Sequence, residues 1–157
     1  MWKNSGVGRH YWEVTIHKVW VMLYILRACC VLFKRGIVHD ISKYGKEEAP
    51  YFASLDQKKR KTVEYGSPEY KAELAKIKPA IHHHVYSNTH HPEYYGGDFS
   101  IIPSFDIIEM LADWKAAGRR TKNGNIYASV EYNQKRWGYS DQEKAKLLCT
   151  VIEMFGE

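Results

Sequence analysis

Residues 9–34 read RHYWEVTIHKVWVMLYILRACCVLFK and form the longest helical pattern in the chain. Apolar side chains recur in this stretch at the three- to four-residue spacing of one helix face. They are Ile16, Trp20, Leu23, Ile25, Leu26, Cys30 and Phe33. Gly36 follows the basic residues Lys34 and Arg35, and this combination is typical of a helix C-terminus. The stretch therefore predicts one long helix that ends near Gly36.

Helical patterns also dominate the rest of the sequence. They span residues 46–55, 68–88, 103–117, 127–137 and 140–155. The last of these begins with Ser140 and Glu143, which are spaced as a capping box. No segment shows the sustained alternation of apolar and polar residues that marks a strand. The sequence therefore predicts an all-α fold, with a single domain over residues 1–157 built as a helical bundle of about six helices.

The composition is that of a soluble globular domain. The chain has 157 residues, of which 45% are hydrophobic and 26% charged, and a domain of this size needs neither a disulfide nor a metal merely to fold. The net charge of +5 favours anionic partners without identifying one. Residues 19–33 are interrupted by Arg27 and are shorter than the about 20 residues of a membrane span. We therefore expect a core helix there, and a cytoplasmic protein with no membrane partner.

Five of the eight histidines lie in one ten-residue window, 82–91, which reads HHHVYSNTHH. Neighbouring imidazolium rings repel each other, whereas neutral imidazoles are the commonest nitrogen ligands of transition metals. The cluster therefore favours a metal site. A solvated polar loop that binds metal only adventitiously is the alternative.

Other candidate ligands lie among apolar residues. His39 and Asp40 follow Gly36-Ile37-Val38, and ionisable groups in such surroundings must be paired or bind a metal. His17 lies on the long first helix, where a satisfied core histidine is the simpler interpretation. Asp113 lies in an apolar helix with Glu109 one turn earlier, and an exposed acid is the equally good alternative.

Taken in chain order, the candidate ligands resemble those of the HD superfamily of metal-dependent phosphohydrolases. The motifs that carry the resemblance are HDISKY, HHVYSNTHHPEYY and EMLADW, and it covers residues 17–117. The sequence is most similar to a group of short phage and bacterial HD-like proteins of uncharacterised function. The resemblance implies an HD-like helical bundle with a metal site, in the cytoplasm of a bacterium or of a phage-infected host cell.

The resemblance also implies a ligand set. His17, His39, Asp40 and Asp113 resemble the four ligands of one metal in the simplest members. Members with further histidines hold two metals bridged by the aspartate of the dipeptide, and here the matching residues are His84 and either His90 or His91. His84 is preferred over His83 because it continues the apolar face through Ile77 and Ile81. The implied cofactor is one or two divalent ions, with Mn, Fe, Zn and Mg all compatible.

One substrate residue follows from the same resemblance, and others are suggested by their charge and position. Lys43 matches a lysine that contacts a substrate phosphate, with a solvated lysine as the alternative. Arg119 and Arg120 could form a phosphate fork or simply end a helix with positive charge. Glu109 is expected to orient a ligand or to move a proton. The basic run 58–61 could contact nucleic acid, although an exposed turn is favoured.

The leading hypothesis is therefore a metal-dependent phosphohydrolase that acts through a metal-activated water on a small phosphorylated metabolite, with a nucleotide favoured. The alternatives are a mixed-valence di-iron HD oxygenase and a non-catalytic phage protein that binds a partner and contains a structural metal. Cyclic dinucleotide phosphodiesterases of the superfamily carry a Gly-Tyr-Pro signature, whereas this chain has Tyr94-Tyr95-Gly96-Gly97. The sequence does not predict an oligomeric state.

Overall fold

A computed structural model describes residues 6–55, 67–119 and 124–156 of the chain. Within these ranges the protein is helical and has no strand, so the all-α prediction is confirmed. The α-helices are α1 (Gly6–Val38), α2 (Ala49–Ala53), α3 (Pro68–Ala75), α4 (Lys78–Ser87), α5 (Ser104–Gly118), α6 (Ile126–Trp137) and α7 (Asp141–Phe155). Short 3₁₀ helices span Ile41–Tyr44, Pro92–Tyr95 and Phe99–Ile101.

The chain divides into two compact units, Met1–His39 and Asp40–Glu157. Whether residues 1–157 form one domain therefore stays a prediction. In the first unit α1 is a single helix, and it runs two residues past Gly36 because a glycine inside a helix costs only about 1 kcal/mol. No residue of α1 is buried within this unit, because a single helix has no second layer against which its apolar side chains could pack. The prediction of a core helix therefore stays a prediction.

By length and composition the helical stretch Gly6–Tyr44 is able to cross a membrane. Core helices of soluble proteins and signal sequences share this length and apolar composition. A cytoplasmic location and the absence of a membrane partner accordingly stay predictions.

The hydrophobic core of the second unit lies between α5, α6 and α7. Its buried residues are Phe99, Met110, Leu111, Ile126, Val130, Tyr139, Leu147 and Val151. Tyr139 also donates a hydrogen bond of 2.5 Å to the carbonyl oxygen of Val130, which satisfies its buried hydroxyl. The predicted capping box is present at the start of α7, where Ser140 accepts from the backbone N–H of Glu143 and the Glu143 side chain accepts in return. The core fixes α5, which carries two of the candidate site residues.

Residues 68–88 form two helices rather than the one that we predicted. The first ends at Ala75 and the second begins at Lys78, with Pro79 in its first turn. Proline has no N–H for the helix ladder, and its ring collides with the carbonyl four residues earlier, here that of Ala75. Pro79 therefore starts α4, the helix that carries the histidine cluster.

The helix predicted over 46–55 is also shorter in the structure, where it spans Ala49–Ala53. Pro50 lies in its first turn, a position at which a missing N–H costs nothing. The residues before it continue the turn that follows the 3₁₀ helix Ile41–Tyr44, through a hydrogen bond from the N–H of Glu48 to the Gly45 carbonyl. This turn places Glu48 in the interior of the unit, where it is fully buried.

Candidate metal centre

Asp40 begins the second unit in an unusual backbone conformation. Its φ of 55° is left-handed, and no other non-glycine residue among the described ranges has a positive φ. This conformation costs an L-residue roughly 1–2 kcal/mol, although aspartate tolerates it better than most. Asp40 precedes the helix Ile41–Tyr44 but makes no capping hydrogen bond with its side chain. The carboxylate instead faces the histidines of the second unit.

The helix α4 presents His84 toward this carboxylate. Ala80, His84 and Val85 form the buried face of the helix, whereas His83 is exposed. The side-chain amide of Asn88 donates to the His84 carbonyl oxygen at 2.8 Å and to Ser42 Oγ at 2.9 Å. Asn88 thus ties the C-terminus of α4 to the helix Ile41–Tyr44, which directly follows Asp40.

The loop after α4 presents His90 and His91. It is held on the first turn of α5 by the buried carboxylate of Asp106, which accepts hydrogen bonds from Thr89 Oγ and, at 2.9 Å, from Tyr95 Oη. These two donors flank the histidines along the chain. The loop is therefore fixed on both sides of the histidine pair.

The ligand atoms of Asp40, His84, His90 and His91 all lie within 4.8 Å of one another. Asp40 Oδ1 is 3.2 Å from His84 Nε2 and 3.4 Å from His90 Nε2. His91 Nε2 is 2.9 Å from His84 Nε2. Asp113, half-buried on α5, offers an oxygen within 4.8 Å of a ligand nitrogen of His90. These five residues form the candidate metal centre.

The outer nitrogens of two rings face carboxylates. His84 Nδ1 is 3.0 Å from Glu48 Oε2, and His90 Nδ1 is 3.1 Å from Glu109 Oε1. A carboxylate can only accept, so each Nδ1 is the donor. A neutral imidazole that donates from Nδ1 presents a lone pair at Nε2. Asp40 Oδ1 and the Nε2 atoms of His84 and His90 are thus three acceptors that converge on one point, an arrangement that a cation stabilises.

The ring of His91 is neutral. Burial lowers the pKa of His91 to about 3, and repulsion from the neighbouring His90 and His84 adds to the effect. The carboxylates of Asp113 and Asp40 offset only part of it. At neutral pH His91 therefore carries no charge and does not repel a cation.

Lys43 and Glu109 lie at the edges of the centre. The ammonium of Lys43 forms an ion pair with Asp40 Oδ2, and the lysine side chain is 34% exposed. The same ammonium lies 5.4 Å from the centre of the Phe52 ring. Glu109 contacts His90 on the side away from Asp40, which fits the predicted role of orienting a ligand.

The other predicted site residues that the structure describes are His17, His39 and Arg119. His17 and His39 belong to the first unit, where His17 is exposed and His39 half-buried. Arg119 is exposed at the C-cap of α5 and lines a cavity of about 410 Å³ with Lys115, Asn125 and Tyr127. At about 100° per residue, Lys115 and Arg119 lie on different sides of α5 from Asp113.

Two further predictions fall on residues that the structure does not describe. Arg120, the second arginine of the predicted phosphate fork, lies outside the described residues. So does the basic run 58–61.

The sequence analysis missed Glu48, Ser42, Asn88 and Asp106, which hold the ligand rings and loops in place. Each is a polar residue whose role depends on a partner far away in the chain, such as Asp106 with Thr89 and Tyr95. No local pattern distinguishes such a residue from an ordinary cap or turn residue. The histidine cluster itself was the one available signal. Histidines that bind a metal through one ring nitrogen need an acceptor for the other nitrogen, so acceptor residues are expected nearby.

The donor set fits a transition metal. Imidazole nitrogens suit Fe, Mn and Zn, and the carboxylate oxygens of Asp40 and Asp113 suit the harder of these ions. Mg²⁺ prefers an all-oxygen shell, so it suits the centre least. The carboxylates behind His84 and His90 are the outer partners that histidine ligands have at most metal sites.

Comparison with known proteins assigns a family without a function. A model of a family of unknown function, DUF5662, matches residues 6–155. No curated protein and no solved structure gives a significant match. Because the family model covers nearly the whole chain, including every residue of the candidate metal centre, the protein belongs to the DUF5662 family.

Proposed function

We propose that the protein is a metal-dependent phosphohydrolase that acts on a small phosphorylated metabolite, with nucleotides as the favoured substrates. One observation carries the proposal: three acceptor atoms, from Asp40, His84 and His90, converge beside the ammonium of Lys43. The acceptors suit a divalent cation, and the ammonium suits an anionic substrate next to it. The order of these residues in the chain resembles that of HD phosphohydrolases, which supports the same reaction.

A divalent cation in this centre supplies Lewis acidity, which acidifies water and offsets the charge of a phosphoryl group. The two oxygens of Asp40 have different partners. Oδ1 faces the histidines, where it can bind the cation, and Oδ2 forms the ion pair with Lys43. Lys43 is partly exposed and can turn its ammonium from Asp40 to a phosphate oxygen. Its charge then neutralises the oxygens of the group that is transferred.

The remaining residues hold the centre rather than touch the substrate. Glu109 accepts from His90 Nδ1 and thereby fixes the ring that faces Asp40. His91 stays neutral at physiological pH because its pKa is lowered to about 3, so it does not form the imidazolium that would act as a general acid. We therefore assign His91 to metal binding and not to general acid catalysis.

The positive charge of the chain supports an anionic substrate but does not select one. Arg119 lies on a different side of α5 from Asp113, so we place the phosphate contact at Lys43 rather than at Arg119. A nucleic acid partner has no support within the described residues. The choice of a small phosphorylated substrate rests on Lys43 and on the family resemblance.

The test is a hydrolysis screen. The protein is stripped of metal with a chelator, reloaded separately with Mn²⁺, Fe²⁺, Zn²⁺ or Mg²⁺, and assayed for phosphate release from nucleotides and simple phosphate esters. We expect release with at least one metal and none from Asp40→Asn, which keeps the side-chain shape and tolerates the left-handed backbone. Protein that binds metal stoichiometrically yet releases phosphate from no substrate would overturn the proposal.

A further inference from the structure

Glu48 is a buried carboxylate that its own helix does not use. Its side chain is 0% exposed, although ionised glutamate is almost never fully buried unless it is paired. It precedes α2 at the N-cap position but makes no side-chain capping hydrogen bond there. The carboxylate must therefore serve another part of the unit, since a buried charge without partners is costly.

The partners of Glu48 are two consecutive histidines of α4. Its Oε1 is 2.7 Å from His83 Nδ1, and its Oε2 is 3.0 Å from His84 Nδ1. Each oxygen thus accepts from one ring. His83 has a side chain 42% exposed, whereas His84 is buried with its Nε2 toward Asp40. Glu48 consequently connects a surface histidine to a histidine of the candidate metal centre.

The hydrogens around His84 Nδ1 can be assigned from the neighbouring contacts. Asn88 Nδ2 lies 3.2 Å from this nitrogen, but its two hydrogens point to the His84 carbonyl oxygen and to Ser42 Oγ. Asn88 therefore has no hydrogen left for the ring. Ser42 Oγ also lies 3.1 Å from this nitrogen, but a hydrogen bond donated by Ser42 would leave the lone pair of the ring facing the Glu48 carboxylate at 3.0 Å. Glu48 can only accept, so the hydrogen between them belongs to His84 Nδ1. The ring is held as the Nδ1–H tautomer, with its Nε2 lone pair toward Asp40.

We infer that Glu48 is a positioning residue of the metal centre, which fixes the orientation and the tautomer of His84 through its Nδ1. This inference rests on the metal binding in the proposed function and not on the reaction. Outer carboxylates of this kind raise the basicity of a ligand histidine and typically contribute about 10- to 100-fold to metal affinity. His83 supplies the second donor, so that both oxygens of the buried carboxylate are satisfied.

Two measurements test the inference. The first is the dissociation constant for Co²⁺, from its visible absorption, in wild type and in Glu48→Gln, which keeps the shape but removes the charge. We expect the constant to rise by about 10- to 100-fold in Glu48→Gln. Glu73→Gln is the matched control because Glu73 is also buried but pairs with Lys76, at 2.8 Å. We expect the control to bind Co²⁺ as wild type does.

The second measurement needs no variant. In the metal-free wild-type protein, ¹⁵N spectra of the ring nitrogens should show His84 protonated at Nδ1 and not at Nε2. The reverse tautomer, or a folded Glu48→Gln with wild-type affinity, would overturn the inference while leaving the proposed function intact. If wild type binds Co²⁺ but releases no phosphate with any metal, the proposed reaction is wrong. The role of Glu48 in metal binding can still be measured in that case.

Discussion

His84 and His91 hold their Nε2 atoms 2.9 Å apart, although seven residues separate them along the chain. Two imidazole nitrogens this close need a hydrogen or a cation between them, because two facing lone pairs repel each other. The tautomer inferred for His84 donates from Nδ1 to Glu48 and leaves a lone pair at Nε2, so with this tautomer the hydrogen between the rings comes from His91. A metal ion would replace that hydrogen and bind both lone pairs. The pair is therefore a direct indicator of whether the centre is loaded.

Asp40→Asn should abolish tight metal binding. Asp40 Oδ1 is the atom that both His84 and His90 face, and the change removes its charge. We expect the dissociation constant to rise by more than about 100-fold, since changes in outer partners alone cost about 10- to 100-fold. Isothermal titration of metal-free protein measures the effect.

The matched control for that experiment is His82→Gln. His82 lies on α4 close to the ligand histidines, but its ring is exposed and packs at a tilt against Tyr86, with the centroids 4.6 Å apart. We expect this variant to bind metal normally. Equal losses in His82→Gln and Asp40→Asn would show that the histidine-rich segment binds metal only adventitiously.

Acid should destabilise the metal-free protein through His91. The pKa of His91 is lowered from 6.5 to about 3 by burial and by its histidine neighbours. Between these values the unfolded chain binds a proton that the folded protein does not, so stability is present above pH 6.5 and is lost as the pH falls toward 3. One such group contributes at most about 1.4 kcal/mol per pH unit.

Urea unfolding of wild type and His91→Gln between about pH 7 and pH 4 checks this prediction. The variant should lose less stability over that range than wild type. Carboxylates also titrate there, but they titrate in both proteins, so the difference reports His91. Parallel curves for the two proteins would contradict the assigned pKa.

Most helices of the second unit could be predicted from the sequence because they carry local signals. Ser140 and Glu143 mark the start of α7, and α5 ends at Gly118, one residue beyond the predicted range 103–117. Pro79 is also a local signal, because proline interrupts a helix. The apolar spacing across it nevertheless predicts one continuous helix over residues 68–88. The apolar stripe of α1 predicts a helix, but a stripe does not reveal which surface covers it.

Some residues of the candidate metal centre could also be predicted from local signals, whereas others could not. The histidines were visible as a cluster, and the choice of His84 over His83 followed from the three-residue step from Ile81 on one helix face. Glu48 was invisible because only the folded turn brings it to α4, 35 residues from His83. Local periodicity reports which face of an element is apolar, whereas outer partners of a metal site depend on contacts between elements.

Gly97 should tolerate alanine worse than its neighbour Gly96. Both have positive φ, which costs an L-residue about 1–2 kcal/mol. A Cβ on Gly97 would also lie 2.6 Å from the Trp137 ring, whereas a Cβ on Gly96 meets nothing within 4 Å. We therefore expect Gly97→Ala to lose about 1–3 kcal/mol more than Gly96→Ala, by the usual cost of overpacking. Thermal unfolding measures both, and equal losses would argue against the Trp137 contact.

Lys43→Ala should separate catalysis from metal binding. The lysine pairs with Asp40 Oδ2 and is proposed to contact the substrate, but it supplies no ligand atom. Turnover should fall by about 100-fold, as for loss of one preorganised charge at a transition state. Metal affinity should stay equal or become tighter, because Lys43 no longer competes for Asp40. Lys46→Ala, at a 91% exposed side chain, is the control that should leave both unchanged.

A loss of bound metal in Lys43→Ala would assign the lysine a structural role. Unchanged kinetics would instead make it an ordinary solvated lysine. Either result would require another residue to neutralise the phosphate.

Phosphate release should not depend on oxygen. Three imidazoles with carboxylates suit iron as well as manganese or zinc, so the ligand set alone leaves the di-iron oxygenase as a competing hypothesis. A hydrolase needs only a Lewis acid and water, and redox-inert Zn²⁺ should therefore support turnover. An oxygenase needs iron that changes valence, and its activity should vanish without air. Lys43 beside Asp40 favours an anionic substrate but is compatible with both reactions.

Anaerobic assays of the nucleotide panel with each metal decide between hydrolysis and oxygenation, with Asp40→Asn as the inactive reference. Phosphate release without oxygen establishes hydrolysis, whereas oxygen consumption with Fe²⁺ and no phosphate release would replace it with oxygenation.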